Sequence, residues 1–294
     1  QSGYTTNAMA RNLRRRQSEM ILVLVPDIGN SFFSNILLGI ESVASKNGYG
    51  VLIGNTDNNP DREKSYLNYL RGNQADGLLL LNGHLPPLGA GIEHLSNLPP
   101  IVAISEKIPH TDIPFVGVDN ELAARQATEH LISIGHTKIA HISGPPGNIL
   151  TDERIEGYCQ AMKGAGLPLD TDMIIAGDFS IESGRAAIER LFIRDNMPSG
   201  LFCANDEMAI GAMLGLTARG RRIPEEFSVI GFDDIQFSSC TVPPLTTMQQ
   251  PRRLMGEKAM EVMLDLIEKR TPSNDLSLLH TDLIIRGSTK LHQL

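Results

Sequence analysis

Tryptophan is absent from this 294-residue chain and cysteine nearly so. The three cysteines, Cys159, Cys203 and Cys240, stand far apart, with no Cys-x-x-Cys pair and no histidine pattern beside them, so they read as reduced and mostly buried thiols. Long apolar runs are missing as well. Met20 to Pro26 and Leu78 to Leu81 fall far short of the roughly 20 residues a membrane-spanning helix requires, and no membrane partner is expected. The N-terminal stretch, rich in Arg and Asn, has none of the apolar core of a signal peptide, so the expected location is the cytoplasm. No Gly-x-Gly-x-x-Gly follows the first strand and no Gly-x-x-x-x-Gly-Lys-Ser/Thr occurs, which excludes a dehydrogenase and a P-loop enzyme. His-Glu-x-x-His and Gly-x-Ser-x-Gly are also absent, and the eight histidines are scattered. No catalytic constellation, cofactor or metal site is expected. His136, opening a strand after a helix end, reads as a structural hydrogen-bonding group and is left out of the site.

What is present is an ordinary globular composition, 41% hydrophobic and 20% charged, over a length that usually divides into two lobes. The net charge of −8 hides an asymmetry. Residues 1–18 hold Arg11, Arg14, Arg15 and Arg16 and no acid, a +4 arm on a −12 body. The chain lacks an initiator Met and opens on Gln1-Ser2-Gly3-Tyr4, which reads as the end of a helix, so a preceding segment is expected.

From Met20 onward, short apolar β-branched runs alternate with longer amphipathic stretches, the pattern of an α/β fold with a parallel sheet covered by helices on both faces. Strands are expected at Ile21 to Val25, Val51 to Gly54, Gly77 to Leu81, Ile101 to Ile104, Phe115 to Val118, Lys138 to Ser143, Met173 to Ala176, Gly200 to Cys203 and Ser228 to Phe232. Helices are expected at Ser34 to Lys46, Asp61 to Arg71, Asn120 to Ile134, Asp152 to Ala165, Ile181 to Phe192, Asp206 to Arg219 and Arg252 to Lys269. Gly48, Gly135, Gly166 and Gly220 stop four of them. Two similar doubly wound lobes follow, 19–118 with 249–280 and 119–248 with 281–294, after a linker at 1–18. A last strand, Leu278 to Ile285, is long enough to pass from one lobe to the other, and such a tie makes a hinged cleft.

In open parallel sheets, ligands sit outside the carboxyl ends of the strands. The residues that follow the strands are polar: Asp27, Asn55, Asp57, Asn82, Ser105, Glu106, Asp119, Asn120, Asn205, Asp206, Asp233 and Asp234. Taken singly, each is equally well a helix cap or turn former. Thr6 to Arg16 reads as a short helix whose bases can meet phosphates and whose Leu13 can act as a wedge between base steps. A solvated basic linker is the alternative from local chemistry.

Several stretches together resemble the lactose/galactose repressor (LacI/GalR) family. They are Gly3-Tyr4 with Asn7 to Leu13, Asp27 to Ile36, Asp76-Gly77-Leu78, Val118-Asp119-Asn120, Gly135 to Ile139, Arg154 with Gly157-Tyr158, and Gly177-Asp178-Phe179. Ala204 to Ala212, Ile230 to Asp234, Pro243 to Thr247 and Ile285 to Thr289 complete the series, which spans the chain. Within the family the likeness is greatest to cytidine-responsive repressors, through Val23 to Ile28, Pro99-Pro100 and Leu283 to Thr289.

The resemblance implies two lobes of periplasmic-binding-protein type I around a hinged inter-lobe cleft, behind a helix-turn-helix head that this chain lacks. It implies that Asn7, Arg11, Leu13, Arg14 and Arg15 belong to a DNA-binding hinge helix. It further implies an effector held by Phe32 and Phe33, which would stack on a planar base, and by Arg154, whose fork would hold a hydroxyl or carbonyl. Phe179 would be an aromatic wall, Asn205 a polar contact and Asp233 the acceptor of sugar hydroxyls. The loop Pro145 to Leu150 lacks the arginine that purine-responsive relatives place near Asn148. A purine is therefore disfavoured, and Asn148 is expected to pair with a base edge.

A homodimeric repressor follows, in which a small-molecule effector, cytidine, closes the cleft and respaces two hinge helices on operator DNA. Effector and operator would be coupled by roughly 1 to 3 kcal/mol. The resemblance also implies the cyclic-AMP receptor protein as a partner at promoters. A solute-binding protein of the same fold is the alternative, and the arginine-rich arm opposes it.

Overall fold

The computed structural model describes residues 17–87, 98–193, 197–271 and 278–292. The hinge residues Asn7, Arg11, Leu13, Arg14 and Arg15 lie outside that range. The chain divides into two compact units, Gln1–Gly117 with Arg252–Leu278, and Val118–Pro251 with Leu279–Leu294. Gln249 and Gln250, assigned to the first lobe from the sequence, fall in the second unit. Their strand pairs there, with Thr246–Gln249 running parallel to Ser228–Asp233.

In the first unit, β1 (Met20–Val25), α1 (Phe32–Lys46), β2 (Gly50–Asn55), α2 (Pro60–Arg71), β3 (Gly77–Leu80), β4 (Ile101–Ile104) and β5 (Phe115–Val118) come first. Helix α7 (Arg252–Ile267) and β11 (Leu278–Leu279) join them later in the chain. The second unit has α3 (Asn120–Ser133), β6 (Ile139–Ser143), α4 (Ile149–Gly164), β7 (Ile174–Ala176), α5 (Ile181–Phe192), β8 (Gly200–Cys203), α6 (Asp206–Ala218), β9 (Ser228–Asp233), β10 (Thr246–Gln249) and β12 (Asp282–Ile284).

Each unit holds a six-stranded sheet with the same winding. The orders are β2-β1-β3-β4-β5-β11 and β7-β6-β8-β9-β10-β12. Strands β1 to β5 pair in parallel in the first sheet and β6 to β10 in the second, while β12 runs antiparallel to β10, where Thr247 faces Ile284. In this order the chain turns back on itself at the first strand, so a switch point lies between β1 and β3 in one unit and between β6 and β8 in the other.

The alternation of side chains across each strand explains why the runs are apolar throughout. Leu22, Leu24, Leu78 and Leu80 pack toward Leu67 and Leu70 of α2. In the second unit, Ala140, Ile142, Leu201 and Val229 meet Ile188 of α5 and Met208, Ala212 and Leu216 of α6. Ile139, Phe202, Ile230 and Phe232 meet Ala124 and Leu131 of α3 and Tyr158 and Met162 of α4.

Helix pairs close on glycine. A Cβ on Gly39 of α1 would lie 2.1 Å from the Arg253 carbonyl of α7, and one on Gly256 of α7 would lie 2.1 Å from the Ile36 carbonyl. A Cβ on Gly157 of α4 would lie 2.2 Å from the Glu121 carbonyl of α3, and one on Gly211 of α6 would lie 1.9 Å from the Ile181 carbonyl of α5. The backbones approach too closely for any side chain, so these glycines set the helix spacing.

Polar caps start the helices: Asn59, Asp119, Asn148, Ser180 and Asn205 each accept from backbone N–H groups of the first turn. The four glycines read as helix stops all take positive φ.

Three expectations are corrected. The single strand Leu278 to Ile285 is two short strands, one in each sheet, interrupted at His280 and Thr281. Strand β10 was missed because its Thr246 and Thr247 are not apolar, although both are fully buried. Their hydroxyls are bonded to Thr289 and Asp206. Of the cysteines only Cys203 is buried. Cys159 is half-buried and Cys240 exposed, and all three are free. Cys240 follows a short turn at Gln236–Ser239 rather than a strand, which leaves it at the surface. His136 has the structural bond expected of it, from Nδ1 to the Ser199 hydroxyl at 2.8 Å.

Candidate functional site

The second unit gathers most of the residues expected to meet an effector at its switch point. Asn148 opens α4 after β6, Asn205 opens α6 after β8, and Asp233 ends β9. Arg154 spans the switch point. It sits two turns into α4, is 2% exposed, and donates through one Nη to the carbonyl of Ala204, immediately beyond β8. Its Nε and other Nη donate to the Asn120 Oδ1 at 3.1 and 2.9 Å, and the guanidinium lies 3.8 Å from the centre of the Phe232 ring. Stacking on the ring and a shared acceptor hold the planar fork in one orientation.

Asn120 is the hub of this arrangement. While its oxygen accepts from Arg154, its amide donates to the Glu153 carboxylate at 3.1 Å and to the Val118 carbonyl at 3.3 Å. Burial pushes the Glu153 carboxyl up from its ordinary value, against the Asn120 hydrogen bond and the Arg154 charge, which favour the ionised form. Asn120 was visible in the sequence as one of several polar residues after a strand. Nothing there distinguished it from a cap, and the helix is in fact capped by Asp119. Phe232 was hidden for a different reason, because an aromatic inside an apolar strand reads as core.

Asp233 is 5% exposed and accepts from the Gln250 amide at 2.7 Å. It takes φ 113° and is followed by Asp234 at φ 55°, a sparsely populated pair for non-glycine residues. Asp234 is held in turn by Arg286, at 2.6 Å, and by the Gln249 amide, at 2.7 Å.

Asn205 does two jobs. Its oxygen caps α6 through the Met208 N–H at 2.9 Å, and its amide donates to the Phe179 carbonyl at 2.9 Å. Phe179 takes φ 70°, and its ring rests on Gly144, where a Cβ would lie 2.2 Å from Cζ. Strain of this kind collects at ligand-binding turns that their surroundings over-determine. Asn148 uses its oxygen as a cap, accepting from Leu150 and Thr151 at 2.9 and 3.3 Å.

Phe32 and Phe33 belong to the other unit. They start α1, are each 8% exposed, and meet edge to face with centroids 5.2 Å apart. The Asn30 side chain orders the turn before them by accepting from the Phe32 N–H at 2.8 Å.

Two windings of one sheet order, each with polar groups at the carboxyl ends of its strands, define the type I periplasmic-binding-protein class of ligand sensor. The chain belongs to that family: the model described as periplasmic binding proteins and the sugar-binding domain of the LacI family matches residues 18–286.

Among its relatives is the HTH-type transcriptional repressor CytR of Escherichia coli (strain K12), 40% identical over 98% of this chain and 84% of the relative. Another is catabolite control protein A of Priestia megaterium, 34% identical over 98% of this chain and 87% of the relative. A solved LacI-family regulator from Enterococcus faecium with bound ribose superposes with a TM-score of 0.80. It is 29% identical and covers 93% of this chain and all of that one. CytR is a transcriptional repressor rather than an enzyme, and the chain is a small-molecule-sensing regulator of the LacI family.

Proposed function

We propose that the small molecule is a nucleoside, cytidine in the first place, and that its binding controls operator binding through the arginine-rich hinge segment at residues 6–16. The observation that carries this reading is that Arg154 and Asp233 are each buried beyond the carboxyl ends of the second unit's strands. A guanidinium fork already held on Asn120 and Phe232 supplies donors for hydroxyl and carbonyl oxygens, and a carboxylate accepts from the two hydroxyls of a ribose. The likeness to CytR supports the nucleoside, and the ribose in the Enterococcus regulator supports the sugar half of it.

In this proposal Phe179 and the Phe32–Phe33 pair offer aromatic surface to the base. Asn205 acts through Phe179 as well as by contact. Asn148 contributes only from its amide, since its oxygen is committed to the helix. The protein works as a cytoplasmic homodimer, with the cyclic-AMP receptor protein as its second protein partner at promoters.

Calorimetric titration with cytidine, uridine, adenosine, ribose and galactose tests the reading. Cytidine is expected to bind more tightly than adenosine or free ribose, and Arg154→Ala and Asp233→Asn are each expected to weaken it at least tenfold. Heat with galactose and none with any nucleoside would make the protein a sugar sensor instead.

A further inference from the structure

Asp206, the first residue of α6, is fully buried. Its carboxylate collects three donors. One oxygen accepts from the Ile235 N–H at 2.9 Å and from the Ser238 hydroxyl at 2.5 Å. The other accepts from the Thr247 hydroxyl at 2.6 Å. All three belong to chain that follows Asp233: the turn at 235–238 and strand β10.

The sequence makes room for this group at one point. A Cβ on Gly231, two residues before Asp233, would lie 2.1 Å from the Asp206 Oδ1. The carboxylate thus grips the segment immediately after two consecutive residues at positive φ, Asp233 and Asp234, a conformation that survives only when its surroundings enforce it.

We propose that Asp206 is a positioning residue of the effector site: it fixes the turn that aims Asp233, and its charge state is linked to effector binding. The proposal rests on the reading of Asp233 as an effector ligand.

The electrostatics are consistent with this linkage. Burial, and then the neighbouring charge of Asp233, push the Asp206 carboxyl up to about 7, against the three hydrogen bonds, which favour the ionised form. The other titratable group against it is the buried Cys203 thiol of β8, itself pushed up by burial and by Asp206. Its three donors are neutral. The hydroxyls of Ser238 and Thr247 can turn to accept a hydrogen bond from the protonated carboxyl, whereas the Ile235 N–H can only donate. The cage therefore tolerates both charge states.

A neutral effector that bonds to Asp233 and removes water strengthens the repulsion between the two carboxylates. Proton uptake by Asp206 on binding follows, so affinity rises as pH falls through 7.

The test is effector titration of the whole chain from pH 6 to pH 8.5, with cytidine and ribose as probes. The wild type is expected to bind about seven times more tightly at the acid end, the change produced when binding raises a proton affinity by about tenfold. Asp206→Asn, whose amide cannot replace a carboxylate facing three donors, is expected to bind about tenfold more weakly and with no pH slope. Thr247→Val, which keeps the carboxylate, should retain the slope.

A flat wild-type profile overturns the linkage whether or not Asp206→Asn folds. A folded Asp206→Asn chain with wild-type affinity overturns the positioning role. Absence of binding by the wild type to either probe would instead count against the nucleoside reading, and with it against this one.

Discussion

Replacing Gly157 by alanine should separate α3 from α4 and, through that movement, dismantle the seat of Arg154. The added Cβ would stand 2.2 Å from the Glu121 carbonyl oxygen and 2.9 Å from both the Ala124 Cβ and the Arg125 backbone nitrogen. Contacts under 3.0 Å are essentially never adopted by a Cβ, so the helices must part by about 0.8 Å at that point. Arg154 is one turn away on the same helix, and Asn120 begins the helix being pushed off. Their 2.9 Å hydrogen bond would open to about 3.7 Å if it took up the whole movement, beyond bonding distance.

Overpacking costs about 1 to 3 kcal/mol, and a weakened bond to a charged group costs about 1.5 to 3 more. The better helix propensity of alanine returns about 1. The net expectation is a loss of about 1.5 to 5 kcal/mol and at least a tenfold loss of effector affinity. Gly164→Ala, at the end of the same helix with nothing within 4 Å of the new Cβ, is the control and should be neutral or slightly stabilising. Urea unfolding followed by circular dichroism reads both, since the chain has no tryptophan to report by fluorescence. A Gly157→Ala protein as stable as the Gly164→Ala protein would refute the reasoning.

Two further outcomes follow from the second unit's core. His141 is fully buried, stacked between Tyr158 and Phe202, and burial lowers its pKa from 6.5 to about 4. Its contribution to stability is therefore complete above pH 6.5 and lost as pH falls through 4, on the order of 3 kcal/mol across that window. His141→Phe, which keeps the stack, should flatten the dependence of the urea midpoint between pH 6.5 and 4, and an unchanged slope would remove His141 as its cause. Tyr158→Phe deletes the buried hydroxyl that donates to the Ile139 carbonyl at 2.8 Å and should cost about 1 to 2 kcal/mol in the same assay. A cost near zero would mean that the carbonyl finds another donor.

Much of the fold was legible because it rests on local signals. Apolar runs such as Ile101 to Ile104 can bury both faces only as inner strands, and Asn148, Asn205 and Asp119 cap the helices that their side chains predict. Strand β10 escaped because what buries Thr246 and Thr247 is a set of partners distant in sequence, Thr289 and Asp206. The site divides along the same line. Arg154 and Asp233 are recognisable residues at recognisable places, while Asn120 and Phe232 acquire their roles only when α3 and β9 are brought against α4. Asp206 stands in plain view in the sequence as the second residue after Ala204. Its raised pKa, however, is a property of burial and of Asp233, neither of which a run of letters contains.

The segment after Pro251 supplies α7 to one unit and β12 to the other. Helix α7 closes on α1 through Gly39 and Gly256, and β12 completes the sheet beside β10. During synthesis, neither unit can finish folding until these residues have left the ribosome, although most of both has emerged long before. Nascent chains halted near Pro251 should therefore carry two uncovered apolar surfaces at once, which makes them natural clients for chaperones, and a premature stop there should remove both units rather than one.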